Sequence, residues 1–144
     1  MKILLALSTV FGGDQLRPNL HIQDYADLCK ILLSEKDAKV ANKIFNCGYE
    51  NMSIMNIAKT VKKVVEDIFP EKGNINIEVT ESDDPRSYHI SSDKIKKELN
   101  FIPKYSVEDA VRDLCQAFKN GSLPNSFDDD KYFNVRTMKK LKVS

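Results

Sequence analysis

The sequence lacks an excess of charge of either sign. Its 22 lysine and arginine residues nearly balance its 21 aspartate and glutamate residues, so no electrostatic field of one sign covers the protein. The run from 136 to 142 is locally basic, but such a run is most often a solvated helix face. We therefore predict that neither nucleic acid nor a membrane is a partner of this chain.

Paired cysteines and metal-binding spacings are also missing. The three cysteines, Cys29, Cys47 and Cys115, are odd in number and widely spaced, which is typical of reduced thiols in a cytoplasmic protein. The two histidines, His21 and His89, lie far from each other and from any pair of cysteines, so no zinc motif is present. We predict no disulfide and no metal site.

Long apolar runs are absent as well. No stretch approaches the roughly 18 consecutive apolar residues that a membrane-spanning helix needs. The apolar run at 1–11 superficially resembles a signal peptide, but no small-residue cleavage site follows it before the turn at 12–14. We predict that this run is a buried strand.

What the sequence does contain is typical of one soluble domain. A chain of 144 residues, 42% apolar and 30% charged, can bury about two thirds of the surface that its unfolded form exposes. Apolar residues recur either at every second position or at steps of three and four, which predicts alternating strands and helices. Three strands are predicted, at 1–11, 39–47 and 74–80, and an extended segment is predicted at 16–22. Helices are predicted at 24–34, 54–68, 92–99 and 106–120, and a closing helix or arm is predicted at 132–141. This order predicts an α/β fold in which crossover helices pack on a small mixed sheet.

Four segments of the chain, taken in order, form a recognisable set. They are VFGGDQ at 10–15 followed by RPNLHIQDYA at 17–26, IFNCG at 44–48 before a helix capped by Ser53, DDPRSY at 83–88 leading into SDKIKKELNFIP at 92–103, and the helix that begins at Ser106. This set resembles the carboxyl-terminal part of the extended short-chain dehydrogenase/reductase family, which contains the NAD-dependent nucleotide-sugar epimerases and dehydratases. The resemblance implies a substrate-binding lobe at 1–121, followed by a linker and a basic arm at 122–144.

The resemblance also implies a ligand, a nucleotide diphosphosugar such as a UDP- or dTDP-sugar. Its two phosphates call for guanidinium groups and its base for an apolar or aromatic wall. Arg17 stands where family members place a diphosphate-binding arginine, although it could instead be a loop arginine in water. Arg86 is the second candidate, and its alternative is a structural ion pair with Asp83 or Asp84. Phe11 and Asn19 match pocket-lining positions, and their alternatives are a core aromatic and a turn residue.

Two further polar residues of the first motif are predicted to be structural. His21 stands beside a strand as a lone histidine, and we expect it to form a structural hydrogen bond rather than to act in catalysis. Asp24 is expected to serve the start of the following helix, because a negative charge is favoured at a helix N-terminus. No residue of this chain is predicted to be catalytic.

The chain departs from the family in what it lacks. The family's NAD site has a Gly-x-x-Gly-x-x-Gly turn, in which glycines let the backbone approach the pyrophosphate at a helix N-terminus, and the isolated Gly12-Gly13 pair does not supply it. The family's chemistry also uses a tyrosine four residues before a lysine, so that the ammonium lowers the phenol pKa. Tyr132 and Arg136 have this spacing but lie in the tail. NAD(P) is therefore implied by the family, with its binding residues expected outside this chain.

Two interpretations of function remain open. The chain is either the substrate lobe of a nucleotide-sugar epimerase or dehydratase, active in carbohydrate metabolism once a Rossmann cofactor half completes it, or a non-catalytic module that self-associates or binds a partner chain. In both cases an isolated lobe is expected to leave apolar surface uncovered.

Overall fold

The computed structural model describes residues 7–84 and 86–142. Ten helices and strands follow one another along this part of the chain. They are β1 (Leu7–Phe11), β2 (Leu16–Asn19), α1 (Ile22–Ser34), α2 (Asp37–Val40), β3 (Glu50–Ser53), α3 (Ile54–Ile68), β4 (Asn76–Thr80), α4 (Asp93–Leu99), α5 (Val107–Lys119) and α6 (Asn134–Lys140). Contacts between residues divide the chain into two units, of which one ends at Asp113 and the other begins at Leu114, inside α5. The predicted boundary at residue 121 remains a prediction.

The strands form two separate pairs. β1 runs parallel to β4, with Val10 opposite Val79, and the chain between them crosses over through α1 and α3. β2 runs antiparallel to β3, with Leu16 opposite Ser53. The predicted α/β class with crossover helices is confirmed, and its strands lie in these two small sheets. Residues 1–6 of the predicted first strand lie outside the described residues.

The predicted strand at 39–47 is wrong. Residues 37–40 form the short helix α2, and residues 43–48 have no regular secondary structure. A strand is stable only beside another strand, and none of the described residues supplies one here, so the side chain of Ile44 is 82% exposed. The structure instead has β3 immediately afterwards, which the polar sequence of that segment did not predict.

The helix boundaries mostly follow their capping residues. Ser53 caps α3, because its hydroxyl accepts the backbone N–H of Asn56. Ser106 and Asp109 form a capping box at the start of α5, with each side chain bonded to the other's backbone N–H. Asn100 ends α4 in a left-handed conformation. The sequence therefore encodes these three boundaries locally.

The buried core of the first unit has a cluster formed by α1, α4 and the segment after α4. Leu28, Ile95, Leu99 and Phe101 are the buried members, and five half-buried apolar residues pack against them. α1 contributes Leu28 alone to the buried core, although its sequence predicts a continuous apolar face. Ile22, Tyr25 and Leu33 on the same helix are 74%, 55% and 88% exposed. The expectation of a wholly buried first strand is also wrong, because Val10 is buried while Phe11 is 63% exposed.

The second unit contains the end of α5 and the predicted closing helix. Phe118 stacks on Phe127 with ring centroids 6.3 Å apart. α6 places Arg136 over the ring of Phe133 at 4.1 Å and pairs Lys140 with Asp130. The basic run is thus helical, and part of its charge is neutralised inside the unit. No helix in the described part of the chain is long and apolar enough to span a membrane.

Candidate functional site

The candidate site is formed where three segments of the first unit meet. These are the turn after β1, the strand β2 and the segment that follows β4. Gln15 joins them, because its side-chain oxygen accepts the backbone N–H of Gly13 at 2.7 Å and its nitrogen donates to the backbone carbonyl of Asp84 at 3.2 Å. Gln15 is 9% exposed, so these bonds are largely shielded from water. The turn and the acidic segment are therefore fixed relative to each other.

The Gly12-Gly13 turn does not supply a dinucleotide site. Gly12 has a φ of +77°, and a Cβ built on it would lie 2.3 Å from the Gln15 side-chain nitrogen, so the protein's own glutamine fills the space beside this glycine. The turn leads into a strand and not into a helix. The first N–H groups of α3 are also occupied, because those of Ile54 and Met55 donate to the carbonyls of Gln15 and Gly13. These described residues do not fit the pyrophosphate of NAD.

Arg17 extends from β2 into the site. One of its terminal nitrogens, Nη1, donates to the carbonyl of Leu16 at 2.9 Å and to that of Arg86 at 2.7 Å. The other, Nη2, lies 3.9 Å from Oδ2 of Asp84, beyond hydrogen-bond distance. The side chain is 28% exposed. Arg17 therefore has both a structural role, in holding the segment after β4, and a donor that faces an anionic group.

Arg86 is paired with Asp84 in the geometry of a fork. Its Nε lies 2.6 Å from Oδ1 and its Nη2 lies 2.8 Å from Oδ2. This hydrogen bonding lowers the pKa of Asp84 to about 2, with further lowering by the charges of Arg86 and Arg17. Asp84 in turn raises the pKa of the Arg86 guanidinium. The structural ion pair that was the alternative for Arg86 is thus present.

Tyr88 lies beneath both guanidinium groups. The carbon at the centre of the Arg17 guanidinium is 5.2 Å from the Tyr88 ring centroid, and that of Arg86 is 5.9 Å away. Both distances are within the range of a cation–π contact. Two backbone connections fix the tyrosine, since its N–H donates to the carbonyl of Leu16 and the Ser87 hydroxyl accepts the N–H of Leu16. The three side chains form a layered group, Arg17 and Arg86 on Tyr88, next to Asp84.

Two open cavities border this group. One, of about 370 Å³, has an apolar wall from β1 and α3 and a polar edge, and its lining includes Val10, Phe11, Gln15, Arg17, Ile54, Ile57, Ser82 and Asp84. The other, of about 480 Å³, is lined by the Gly12–Gln15 turn with Ser82 and Ser87. Both volumes fall in the range of small-molecule sites, about 300–1,000 Å³. An apolar wall with a guanidinium at its edge can accept a ligand that carries both a ring and a phosphate.

The structure brings together some of the four predicted site residues. Phe11 and Arg17 line the same cavity, with Phe11 at its exposed rim. Arg86 is joined to them through Asp84. Asn19 is elsewhere: its side chain donates to the carbonyl of Arg17 at 2.7 Å and its own carbonyl accepts the N–H of Tyr49, which is a turn-stabilising role. Whether any of the four binds a ligand remains a prediction.

His21 and Asp24 both have structural roles. His21 caps α1, since its Nδ1 accepts the N–H of Gln23, and its Nε2 lies 3.4 Å from Asp113. Because His21 takes the cap, α1 begins at Ile22, two residues earlier than predicted. Asp24 is 2% exposed and does not cap the helix: its carboxylate accepts N–H groups from the segment before α5. Asp24 does lie in the first turn of α1, where its negative charge is favoured as predicted, although His21 is the residue that caps the helix.

Sequence reasoning missed several residues of the site. Ser82 belongs to no motif, and Gln15 and Tyr88 lie in the matched segments at 10–15 and 83–88 without a predicted role in the site. The signal for Gln15 was its position two residues after a glycine pair, where a side-chain amide can close a turn. In the described residues, no group of three or more metal-ligating side chains occurs.

Comparison with known proteins finds relatives by sequence. No family model matches the chain. dTDP-glucose 4,6-dehydratase of Shigella flexneri is 28% identical over 109 residues, which covers 72% of this chain and 29% of that protein, and the Escherichia coli enzyme of the same name matches equally. The chain thus spans less than a third of the length of these curated relatives.

Solved structures share the fold. They include UDP-glucuronic acid 4-epimerase of Bacillus cereus in complex with UDP-glucuronic acid and NAD, with a TM-score of 0.62 and 21% identity over 78% of this chain and 35% of that one. dTDP-glucose 4,6-dehydratase of Bacillus anthracis in complex with NAD has a TM-score of 0.62 and 20% identity over 81% of this chain and 35% of that one. The chain is thus similar in sequence to dTDP-glucose 4,6-dehydratases and similar in fold to about a third of a nucleotide-sugar epimerase or dehydratase.

Proposed function

We propose that this chain is the nucleotide-sugar-binding portion of an NAD-dependent epimerase or dehydratase that acts on a UDP- or dTDP-sugar. The observation that carries the proposal is the cavity that combines Arg17 with the apolar wall of Phe11, Ile54 and Ile57, in a chain similar in sequence to dTDP-glucose 4,6-dehydratases. The guanidinium of Arg17 would contact the diphosphate. The apolar wall would pack against the base or the sugar ring.

The chemistry requires a cofactor half. NAD, when bound there, supplies hydride transfer, and the residues described above offer it no pyrophosphate site. The contribution of this chain is then to bind and orient the nucleotide sugar, with no catalytic group of its own. We propose that the chain acts in the cytoplasm, in keeping with the odd number and wide spacing of its three cysteines, Cys29, Cys47 and Cys115.

Exposed apolar surface on α1 supports the need for a partner. Ile22, Tyr25 and Leu33 recur at helical spacing and all are more than half exposed. The segment 43–48, with Ile44 exposed, runs without a neighbouring strand in the described residues. A cofactor half that packed against α1 and supplied a strand beside 43–48 would cover both features.

Calorimetric titration with UDP- and dTDP-sugars tests nucleotide-sugar binding. We expect the unmodified chain to bind at least one of them, and Arg17→Lys to weaken that affinity about tenfold or more, because an ammonium cannot form the two parallel bonds of a guanidinium. Arg136→Lys in α6 is the matched control, since Arg136 does not line the cavity. Silence with UDP-, dTDP-, GDP- and CDP-sugars, or an unchanged affinity in Arg17→Lys, would rule out this proposal.

The second candidate function is a non-catalytic module that self-associates through α1. Sedimentation velocity of the unmodified chain and of Leu33→Lys tests it, with Ser34→Lys as a neighbouring exposed control on the same helix. Association that is lost only in Leu33→Lys favours the module. Addition of the amino-terminal cofactor half of a dTDP-glucose 4,6-dehydratase with NAD and dTDP-glucose distinguishes the two functions, because turnover is expected only for the enzyme part.

A further inference from the structure

The guanidinium of Arg86 at the candidate anion site is already occupied by a carboxylate of the same chain. Asp84 takes the fork of Arg86 with two short bonds, which is the arrangement that a phosphate would adopt there. Oδ2 of the same carboxylate lies 3.9 Å from Nη2 of Arg17. One carboxylate thus reduces the positive potential of both guanidinium groups.

The charge of the surrounding segment reinforces this effect. Glu81, Asp83 and Asp84 supply three carboxylates within four residues, against the two guanidinium groups of Arg17 and Arg86. A diphosphate that approached this site would meet a local excess of negative charge, which disfavours its binding. Removal of the Asp84 charge would leave two carboxylates against two guanidinium groups, and it would remove the carboxylate that is bonded to Arg86.

The backbone of Asp84 is anchored independently of its carboxylate. Its carbonyl accepts Nε2 of Gln15 at 3.2 Å, and its N–H donates to the hydroxyl of Ser82 at 3.2 Å. Within the described residues, the hydrogen bonds of the carboxylate come from Arg86, through its side chain and its backbone N–H. The Arg86 side chain is 70% exposed and that of Asp84 is 42% exposed, so the pair can separate by side-chain rotation while the cavity keeps its shape.

We propose that Asp84 is an internal competitor for the anion site: it holds Arg86 and weakens the attraction of Arg17, so that a phosphate-bearing ligand binds only by displacing its carboxylate. This inference rests on the proposed function and names the residue that sets the anion affinity of the site. Lowering the pH does not relieve the competition until the pH approaches 2, because Arg86 keeps the pKa of Asp84 at about 2.

Titration with inorganic pyrophosphate and with UDP, followed by calorimetry at constant ionic strength, tests the inference. We expect Asp84→Asn to bind both anions about tenfold or more tightly than the unmodified chain. Asp83→Asn is the matched control: it removes the same charge one residue away, at an exposed side chain for which the described structure shows no ion pair. Asp84→Ser is a second variant that also removes the carboxylate, in case the asparagine variant fails to fold.

Arg86 provides the second arm of the experiment. Arg86→Ala is expected to change the affinity of the unmodified chain little, because Asp84 already occupies that guanidinium, but to abolish the gain seen in Asp84→Asn. Equal gains in Asp84→Asn and Asp83→Asn would overturn the inference and leave nucleotide-sugar binding intact. Binding of neither anion by any variant would overturn both, and tighter binding by Asp84→Asn that survives Arg86→Ala would overturn the role given to Arg86.

Discussion

Asp24 is bound to Lys104, 80 positions further along the chain, through both of its carboxylate oxygens, each 3.0 Å from the Lys104 backbone nitrogen. Oδ2 also accepts the N–H of Tyr105 at 3.0 Å. The carboxylate is almost fully buried, so it connects α1 to the segment before α5 through charge-assisted bonds. This single side chain joins the beginning and the end of the first unit.

We predict that Asp24→Ala destabilises the protein by about 2–3 kcal/mol, because it removes a buried carboxylate that accepts the part-buried backbone N–H groups of Lys104 and Tyr105. Asp27→Ala on the same helix is the control, since Asp27 pairs with Lys30 at the surface. Its effect should stay within about 0.5 kcal/mol. Urea unfolding followed by circular dichroism measures both. A change of similar size in the two variants would show that the Asp24 bonds contribute little.

Gly12 should tolerate alanine less well than Gly121. Both have positive φ, +77° and +71°, but only at Gly12 would the new Cβ meet another group, the Gln15 side chain. Gly121→Ala is expected to cost about 1 kcal/mol from backbone strain, and Gly12→Ala about 2–3 kcal/mol, because Gln15 must give up its buried bonds. Thermal unfolding compares the two. Equal costs would mean that Gln15 moves aside without loss.

The pH dependence of stability is expected to include a contribution from Glu66. Its pKa is lowered, first by the hydrogen bond from Lys62 and then by that from the Ile75 backbone N–H. A carboxyl group with a folded pKa below its unfolded value stabilises the protein above the unfolded pKa, near 4.5, and this contribution is lost as the pH falls through the folded pKa.

Glu66→Gln should therefore reduce the loss of stability on acidification from pH 6 to pH 3, measured by urea unfolding at each pH. Glu71→Gln, at an exposed position in the turn after α3, serves as the control. If the free energy of unfolding falls by the same amount between pH 6 and pH 3 in the unmodified chain and in Glu66→Gln, Glu66 makes no such contribution.

The side chain of Asn51 forms two hydrogen bonds with the backbone of Ile90. Its Nδ2 donates to the carbonyl of Ile90 and its Oδ1 accepts the N–H of Ile90, both at 3.0 Å. Asn51→Ala is expected to accelerate amide hydrogen exchange at Ile90 about tenfold or more. Asn51→Asp keeps the acceptor and should preserve part of the protection of that amide. Unchanged exchange in Asn51→Ala would show that the Ile90 amide is protected by other means.

Local signals in the sequence predicted α3 and α5 well, because a serine N-cap and an apolar repeat define each of them within the segment itself. β3 escaped prediction because its residues are polar and half-buried, and it is a strand only through pairing with β2. The strand predicted at 39–47 does not form, because an apolar run becomes a strand only when a neighbouring strand pairs with it.

The candidate site was likewise predictable only where its residues belong to a local motif. Arg17 and Phe11 were identifiable from a motif, and they do line one cavity. The sequence also offered the ion pair of Arg86 with Asp83 or Asp84, which is a local contact. The position of Tyr88 under two guanidinium groups depends instead on how the segment after β4 folds back onto β2, and contacts between residues about 70 positions apart are not encoded in local patterns.

Trypsin cleavage in the irregular segment at 43–48 can report whether a partner chain is bound. The first two residues of this segment, Lys43 and Ile44, are exposed, and Lys43 provides a trypsin site at the start of the segment. In an isolated chain this peptide bond should be among the first to be cut. A partner that supplied the missing strand would shield it, so resistance to trypsin at one bond would reveal whether, and how tightly, the lobe has been completed.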